Sequence, residues 1–250
     1  MINVNFLLTA TLLTVVLMTH QKTIAQDSTE TFPTEMNVTI QEAPEGLTAI
    51  DVIDNYLEAI GGKEIFSNVE DRTTIMRGQI MEQNLSIVIK QKAPNKLKQD
   101  IRSGEMKQTI LYDGTKGVMI LGDEKTEFDN KKLEKLKLEA AMNFLLDPEA
   151  YGVSLELTGI KTVDSTLCYK IVLITEEGTN WVQFYEIDSG LKIKEVKEVE
   201  TTQGSFQQET FYSDYKEVDG LKFPFNIKQS FGMQTIEMNV SSVKLNEGLK

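Results

Sequence analysis

Across residues 73–121 apolar and polar side chains alternate with a period of two, and this alternation constrains the fold more than any other feature of the chain. Leu85, Ile87 and Ile89 mark one run; Met106, Ile110 and Tyr112 mark another. The joints are Ala93-Pro94-Asn95, Ser103-Gly104 and Asp113-Gly114-Thr115-Lys116-Gly117. Successive strand residues point to opposite faces, so each run has one greasy face and one wet face. Joints this short pair neighbouring strands antiparallel. The stretch therefore predicts about four or five strands of one antiparallel sheet.

Strand patterns return at Val153 and continue nearly to the end, in runs 153–160, 167–175, 181–187, 191–199, 206–215, 221–231 and 235–245. Turn chemistry separates them, as in Asp188-Ser189-Gly190 and Asp219-Gly220. The whole chain thus predicts about eleven or twelve strands, and a sheet that long has to curl because twist accumulates along it. Pro224 in Phe223-Pro224-Phe225 predicts an edge strand or a bulge, since proline cannot donate to a ladder.

Two segments break the period. Residues 47–60 place Ile50, Ile53, Tyr56, Leu57 and Ile60 at helical spacing, and Gly61-Gly62 supplies the stop. Ile65, Phe66 and Val69 follow as a short turn. Residues 131–146 set Leu133, Leu136, Leu138, Ala141, Phe144 and Leu145 three and four apart among lysines and glutamates, and Asp147-Pro148 ends the run. A second amphipathic helix is expected there, either an ordinary core helix or a lid over the greasy side of the sheet.

No Pro-, Gly- or Ser-rich linker divides residues 47–250, so one domain is expected. The apolar run from Phe6 to Met18 is too short for a membrane span and suits the core of a secretory signal. Thr23-Ile24-Ala25 offers small residues for cleavage before Gln26, giving a signal peptide over 1–25 and export to the periplasm; Met1 to Asn5 carry no Lys or Arg, so a retained, uncleaved anchor stays open as the alternative. Residues 26–46, with Pro33 and Pro44, read as a disordered tether.

Chemistry is constrained by what the mature chain lacks. Its one histidine, His20, leaves with the signal, which removes histidine-based triads and the usual zinc ligand. The lone cysteine, Cys168, has no partner for a disulfide and no base to activate it. No glycine-rich loop opens a helix, so no phosphate cradle is expected. The net charge of −12 opposes nucleic acid and anionic membrane surfaces. No metal, cofactor or catalytic residue is assigned; a pair of facing carboxylates for glycoside hydrolysis stays open as a lesser alternative.

Several landmarks in order carry a resemblance. They are the helix end Tyr56-Leu57-Glu58-Ala59-Ile60-Gly61-Gly62, a strand containing Gly78, Lys92-Ala93-Pro94-Asn95-Lys96-Leu97, the turn Tyr112-Asp113-Gly114-Thr115-Lys116-Gly117, and Gly220 followed by Pro224. Over roughly residues 47–246 the chain resembles the LolA-like periplasmic carriers, the outer-membrane lipoprotein-sorting proteins, in their Bacteroidetes-type form. The resemblance implies a mainly β fold: a large curved antiparallel sheet forming an incomplete, half-open barrel covered by two or three α-helices. It implies a carrier that binds lipid or lipoprotein acyl chains in a hydrophobic cavity, with an inner-membrane donor and an outer-membrane acceptor as partners; a monomer is expected, without residues that decide it. It also implies an arginine on an early strand that bonds to the lid and governs opening, for which Arg72 and Arg77 are the candidates.

For the cavity wall we select Met76, Ile80, Leu85, Ile87, Ile89, Leu97, Ile101, Ile110, Tyr112, Trp181 and Phe184, and for the lid Leu138, Ala141, Phe144 and Leu145. Trp181 suits a pocket mouth because its indole N–H needs a polar partner. Inward strand residues also fill ordinary cores. A non-enzymatic envelope scaffold or protein-binding module with a filled interior is therefore the alternative reading.

Overall fold

A computed structural model describes residues 41–80, 82–175, 180–201, 204–231 and 234–249. The expected signal peptide and residues 26–40 of the expected tether lie outside this set. Helix α1 (Ala49–Ala59) is followed by a short α2 (Lys63–Ser67). Six strands come next: β1 (Asp71–Ile80), β2 (Gln83–Lys92), β3 (Lys96–Ser103), β4 (Met106–Tyr112), β5 (Gly117–Leu121) and β6 (Glu124–Glu127). Helix α3 (Asn130–Ala140) and two single 3-10 turns, Phe144–Leu146 and Glu149–Tyr151, interrupt the sheet. Seven strands complete it: β7 (Val153–Val163), β8 (Thr166–Thr175), β9 (Asn180–Glu186), β10 (Lys192–Thr201), β11 (Gly204–Val218), β12 (Leu221–Phe231) and β13 (Gln234–Leu245).

All thirteen strands form one antiparallel sheet in the order β6-β5-β4-β3-β2-β1-β13-β12-β11-β10-β9-β8-β7. Each strand lies beside its sequence neighbour except at the centre, where β1 pairs with β13 and Arg72 sits opposite Leu245. The edges are β6 and β7, which do not pair, so the barrel stays open. The segment that runs from one edge to the other carries α3 and both 3-10 turns. The count exceeds the expected eleven or twelve because of β6: Glu-Lys-Thr-Glu is wholly exposed and has no apolar alternation to read. Gln41, assigned by sequence to the tether, exchanges two backbone hydrogen bonds with Ile160 (3.1 and 2.7 Å) and covers part of the β7 edge.

Helix α1 starts at a capping box. The Thr48 hydroxyl accepts from Asp51 N at 3.1 Å, and the Asp51 carboxylate accepts from Thr48 N at 2.9 Å. Its buried face, Ala49, Val52, Ile53 and Leu57, packs with Val153, Ile171, Leu173, Trp181 and Tyr185 of β7–β9. At its end Ile60 O accepts from Lys222 N at 2.7 Å. The approach is so close that a Cβ on Gly61 would stand 2.1 Å from Gly220 O, so this contact requires glycine.

Helix α3 starts on Asp129, whose carboxylate accepts from Lys132 N at 3.0 Å. Leu136 and Ala140 pack with Leu97, Ile110, Tyr112 and Met119 of β3–β5. A Cβ on Gly117 would lie 2.5 Å from Phe128 and 3.0 Å from Leu133, so this glycine lets the helix segment settle onto β5. The helix ends at Ala140 and not at Leu146 as the spacing predicted, and Ala141 is extended (ψ 103°). A continuous helix would stack Phe144 over Leu136 and Ala140. The extended residue sends Phe144 and Leu145 to the opposite side of the opening instead, where Phe144 meets Trp181 at 5.4 Å between ring centres.

Pro224 lies in the first half of β12. It pairs with Tyr215 of β11, whereas the register with β13 begins only at Asn226. Its missing N–H therefore falls where the ladder is one-sided; β12 lies inside the sheet and its pairings show no register shift, so neither the edge strand nor the bulge expected from the sequence forms there.

Candidate functional site

The segment 128–151 that crosses the opening of the sheet leaves a pocket of about 450 Å³ between α3, the Glu149–Tyr151 turn and β9–β10. Leu138, Tyr151 and Trp181 supply its apolar wall. Lys197 of β10 reaches its floor, and acidic and basic side chains, among them Glu134, Lys137 and Glu198, ring its mouth. A second cavity of about 420 Å³ lies past Tyr151, beside Lys92, Pro94 and Asn143.

The concave face next to this floor is charged. A register shift between Lys192 and Lys194 on β10 breaks the two-residue alternation, which brings Lys192 to the side of the sheet that Glu195 faces. Lys192 Nζ donates to one oxygen of Glu195 at 2.9 Å, and Lys197 Nζ lies 3.2 Å from the other. Burial of Glu195 would raise its pKa, but the two ammoniums and hydrogen bonds from Lys192 and Tyr212 outweigh it and bring the carboxyl to about 2. Tyr215 donates to Lys192 O at 2.6 Å and holds the irregular backbone. Lys197 Nζ also stands 3.9 Å from the centre of the Trp181 ring, and Lys192 Nζ 4.7 Å from that of Tyr212.

Four tyrosines surround this group. Tyr56 of α1 meets Tyr185 edge-on at 5.2 Å. Burial pushes the Tyr56 phenol up to about 12 and raises Tyr185, Tyr212 and Tyr215 well above their ordinary range, so all four stay protonated as donors. The Tyr185 hydroxyl donates to Gln183 Oε1. Among the described residues two buried side-chain donors have no partner: Trp181 Nε1–H and the Gln183 amide nitrogen.

The early-strand arginine reaches the helix through one intermediary. Arg72 donates to Gln91 Oε1 from Nη2 at 2.5 Å and from Nε at 3.2 Å, and Gln91 Nε2 donates to the Glu139 carbonyl of α3 at 3.2 Å. The guanidinium also sits 5.7 Å from the Phe223 ring centre. Arg77 is exposed on the other face of β1, between Ser86 and Asn239, and cannot make this link.

The residues selected from sequence fall into separate groups. Met76, Ile80, Leu85, Ile87 and Ile101 pack with Ile236, Met238 and Val240 across the central seam. Ile89 touches that group and the next, in which Leu97, Ile110 and Tyr112 lie under α3. Ala141, Phe144, Leu145 and Trp181 form the third group together with α1, with Leu138 packed against it. Trp181 and Leu138 are the selected residues that line the larger pocket. Phe184 does not join Trp181. It lies three positions on and therefore on the opposite face, packed with Val163 and Cys168. Cys168 is fully buried, and desolvation pushes its thiol up to about 11. Lys192, Glu195, Lys197, Gln183 and Gln91 were not anticipated. Among the described residues no group of three His, Cys, Asp or Glu could hold a metal.

No protein-family model and no curated protein matches the sequence. Solved structures match the fold. A LolA superfamily protein from Nitrosomonas europaea superposes with a TM-score of 0.56 at 12% identity, over 81% of this chain and 95% of that one. A DUF1329 family protein from Desulfovibrio piger gives 0.52 at 12% identity, over 81% and 95%. A domain described as an outer membrane lipoprotein-sorting protein, from Vibrio parahaemolyticus, gives 0.52 at 8% identity, over 81% and 94%. With its open antiparallel sheet and the helix that crosses between the sheet edges, the chain has the LolA-like fold.

Proposed function

We propose that the chain is a non-enzymatic periplasmic carrier that holds acyl chains of a lipid or lipoprotein beneath the crossing segment 128–151 and delivers them toward the outer membrane. The observation that carries this reading is the pocket lined by Leu138, Tyr151 and Trp181 at the one place where the sheet is not closed. Its volume of about 450 Å³ falls within the ~300–1,000 Å³ of small-molecule sites. Each buried methylene contributes ~0.8 kcal/mol, so even part of an acyl chain in the pocket is held firmly. Release then depends on moving α3, which the Arg72–Gln91–Glu139 relay ties to the sheet. An inner-membrane donor and an outer-membrane acceptor are the partners such a carrier needs.

A filled envelope scaffold is the competing reading. It is favoured by the close packing of Met76, Ile87 and Ile110, each at most 3% exposed. The test is mass spectrometry of organic extracts of the mature protein, purified without detergent. A stoichiometric acylated molecule is the expected result. Empty extracts, together with no binding of a fluorescent fatty acyl probe, would leave the scaffold.

A further inference from the structure

The pocket floor and its rim differ in how their charges are balanced. At the rim, acidic and basic side chains mix in contact with water, where such charges are screened and contribute little. At the floor, one carboxylate, Glu195, is shared by two ammoniums whose side chains are less than one-fifth exposed. Within this buried cluster two ammoniums therefore answer one carboxylate where screening is weak, while Glu134, Glu139, Glu149 and Glu198 line the same pocket with Lys135 and Lys137. Lys197 is the one of the two that lines the pocket.

Across the strand pair from it stands an orphan donor: Trp181 is 8% exposed and lines the pocket, yet its Nε1–H has no acceptor. A second, the Gln183 amide nitrogen, lies fully buried behind the pocket lining on the same face of β9, opposite Glu195, with its oxygen already taken by Tyr185. A buried donor left without an acceptor is costly, which marks a place where an acceptor belongs. Donors and an ammonium that shares its one carboxylate together call for an acceptor that carries negative charge.

We propose that this floor binds the anionic headgroup, a carboxylate or phosphate, of an amphiphile whose chain fills the pocket. The inference rests on the carrier reading and adds the charge its cargo must have. A cationic head would oppose Lys197, and a neutral one would leave Lys192 and Lys197 to share the single carboxylate of Glu195. A free anion gains nothing from Leu138 and Tyr151 and must approach a protein of net charge −12, so the apolar chain is part of the recognition.

Trp181 is the sole tryptophan of the sequence, so its emission reports occupancy of the site directly. The full-length mature protein is titrated with dodecyl phosphate, dodecanoate, dodecanol, methyl dodecanoate and inorganic phosphate, and the midpoints are compared. Both anionic amphiphiles are expected to bind about tenfold or more tighter than the neutral ones, the worth of one charge-assisted hydrogen bond. That advantage collapses in Lys197→Met and persists in Lys197→Arg. Equal midpoints for anionic and neutral amphiphiles in the unsubstituted protein overturn the inference and leave the carrier intact. Inorganic phosphate binding as tightly as dodecyl phosphate overturns the amphiphile. If no amphiphile shifts the emission, the carrier reading itself fails and this inference falls with it.

Discussion

Across β2 to β5 the concave face of the sheet carries no charged side chain, whereas across β9 to β11 it carries Glu195 and Lys197 together with tyrosines and glutamines. Both regions are antiparallel meanders, and they differ in side-chain chemistry and in the register shift that turns Lys192 toward Glu195. The first region is held by shape: Ile87 and Ile110 are at most 1% exposed and packed among apolar neighbours, aliphatic and aromatic. The second is held by compensation, since Glu195 is tolerated only because two ammoniums and a phenol answer it. A buried ionic group contributes little net stability compared with hydrophobic packing, yet losing one partner is costly. The charged region is thus a poor way to gain stability and a good way to gain selectivity, in keeping with the headgroup site inferred above.

The sharpest way to break this comparison is to remove the carboxylate. Glu195→Ala leaves Lys192 and Lys197 uncompensated and is expected to cost about 3–5 kcal/mol, read from urea unfolding. A loss below about 1 kcal/mol would mean that water already screens the group. Acid should reproduce the effect. Glu195 titrates at about 2 in the folded protein against an ordinary 4.5, so its stabilisation is complete above the higher value and is lost as pH falls toward the lower one. The stability difference between the unsubstituted protein and Glu195→Ala should therefore shrink between those limits.

In the uncharged region Ile87→Val is expected to cost about 0.5–1.5 kcal/mol, and that difference should stay flat over the same pH range. The smallest effect on stability is expected for Gln91→Glu, which keeps an acceptor for Arg72 but removes the donor to the Glu139 carbonyl. Global stability should change by less than about 1 kcal/mol. Amide exchange across Asn130–Ala140 should nevertheless quicken; unchanged exchange would show that the relay does not hold the helix.

The same contrast explains what could be read from the sequence. Strands β2 to β5 were legible because their buried face is uncharged and their turns are short, so the period of two survives intact. In Lys192-Ile193-Lys194-Glu195-Val196-Lys197 both faces are mixed and the register shift changes the parity, so no count of alternate positions finds the cluster. Phe184 was misplaced relative to Trp181 because both look equally buried, and only their odd separation tells the faces apart. The break after Ala140 was hidden because Phe144 and Leu145 fit a helical spacing equally well. Arg72 was within reach, but its route through Gln91 was not, since the pairing of Arg72 with Gln91 depends on the β1–β2 register.

The junction of β1 with β13 has a consequence for how the molecule comes to be folded. Every other strand pair closes a short loop, and the blocks before and after the crossing segment can each form by adding one hairpin to the last. At the seam, Ser241 reaches Ile75 across 166 residues of chain. Such a contact has to wait for the last strand to appear, and entropy makes its closure slower than any hairpin. Until then β1 and β13 are both bare edges, able to pair with strands of other molecules. A chain that emerges amino end first thus keeps an unfinished β1 until its last strand appears, and the joining of first strand to last is the step most open to mispairing.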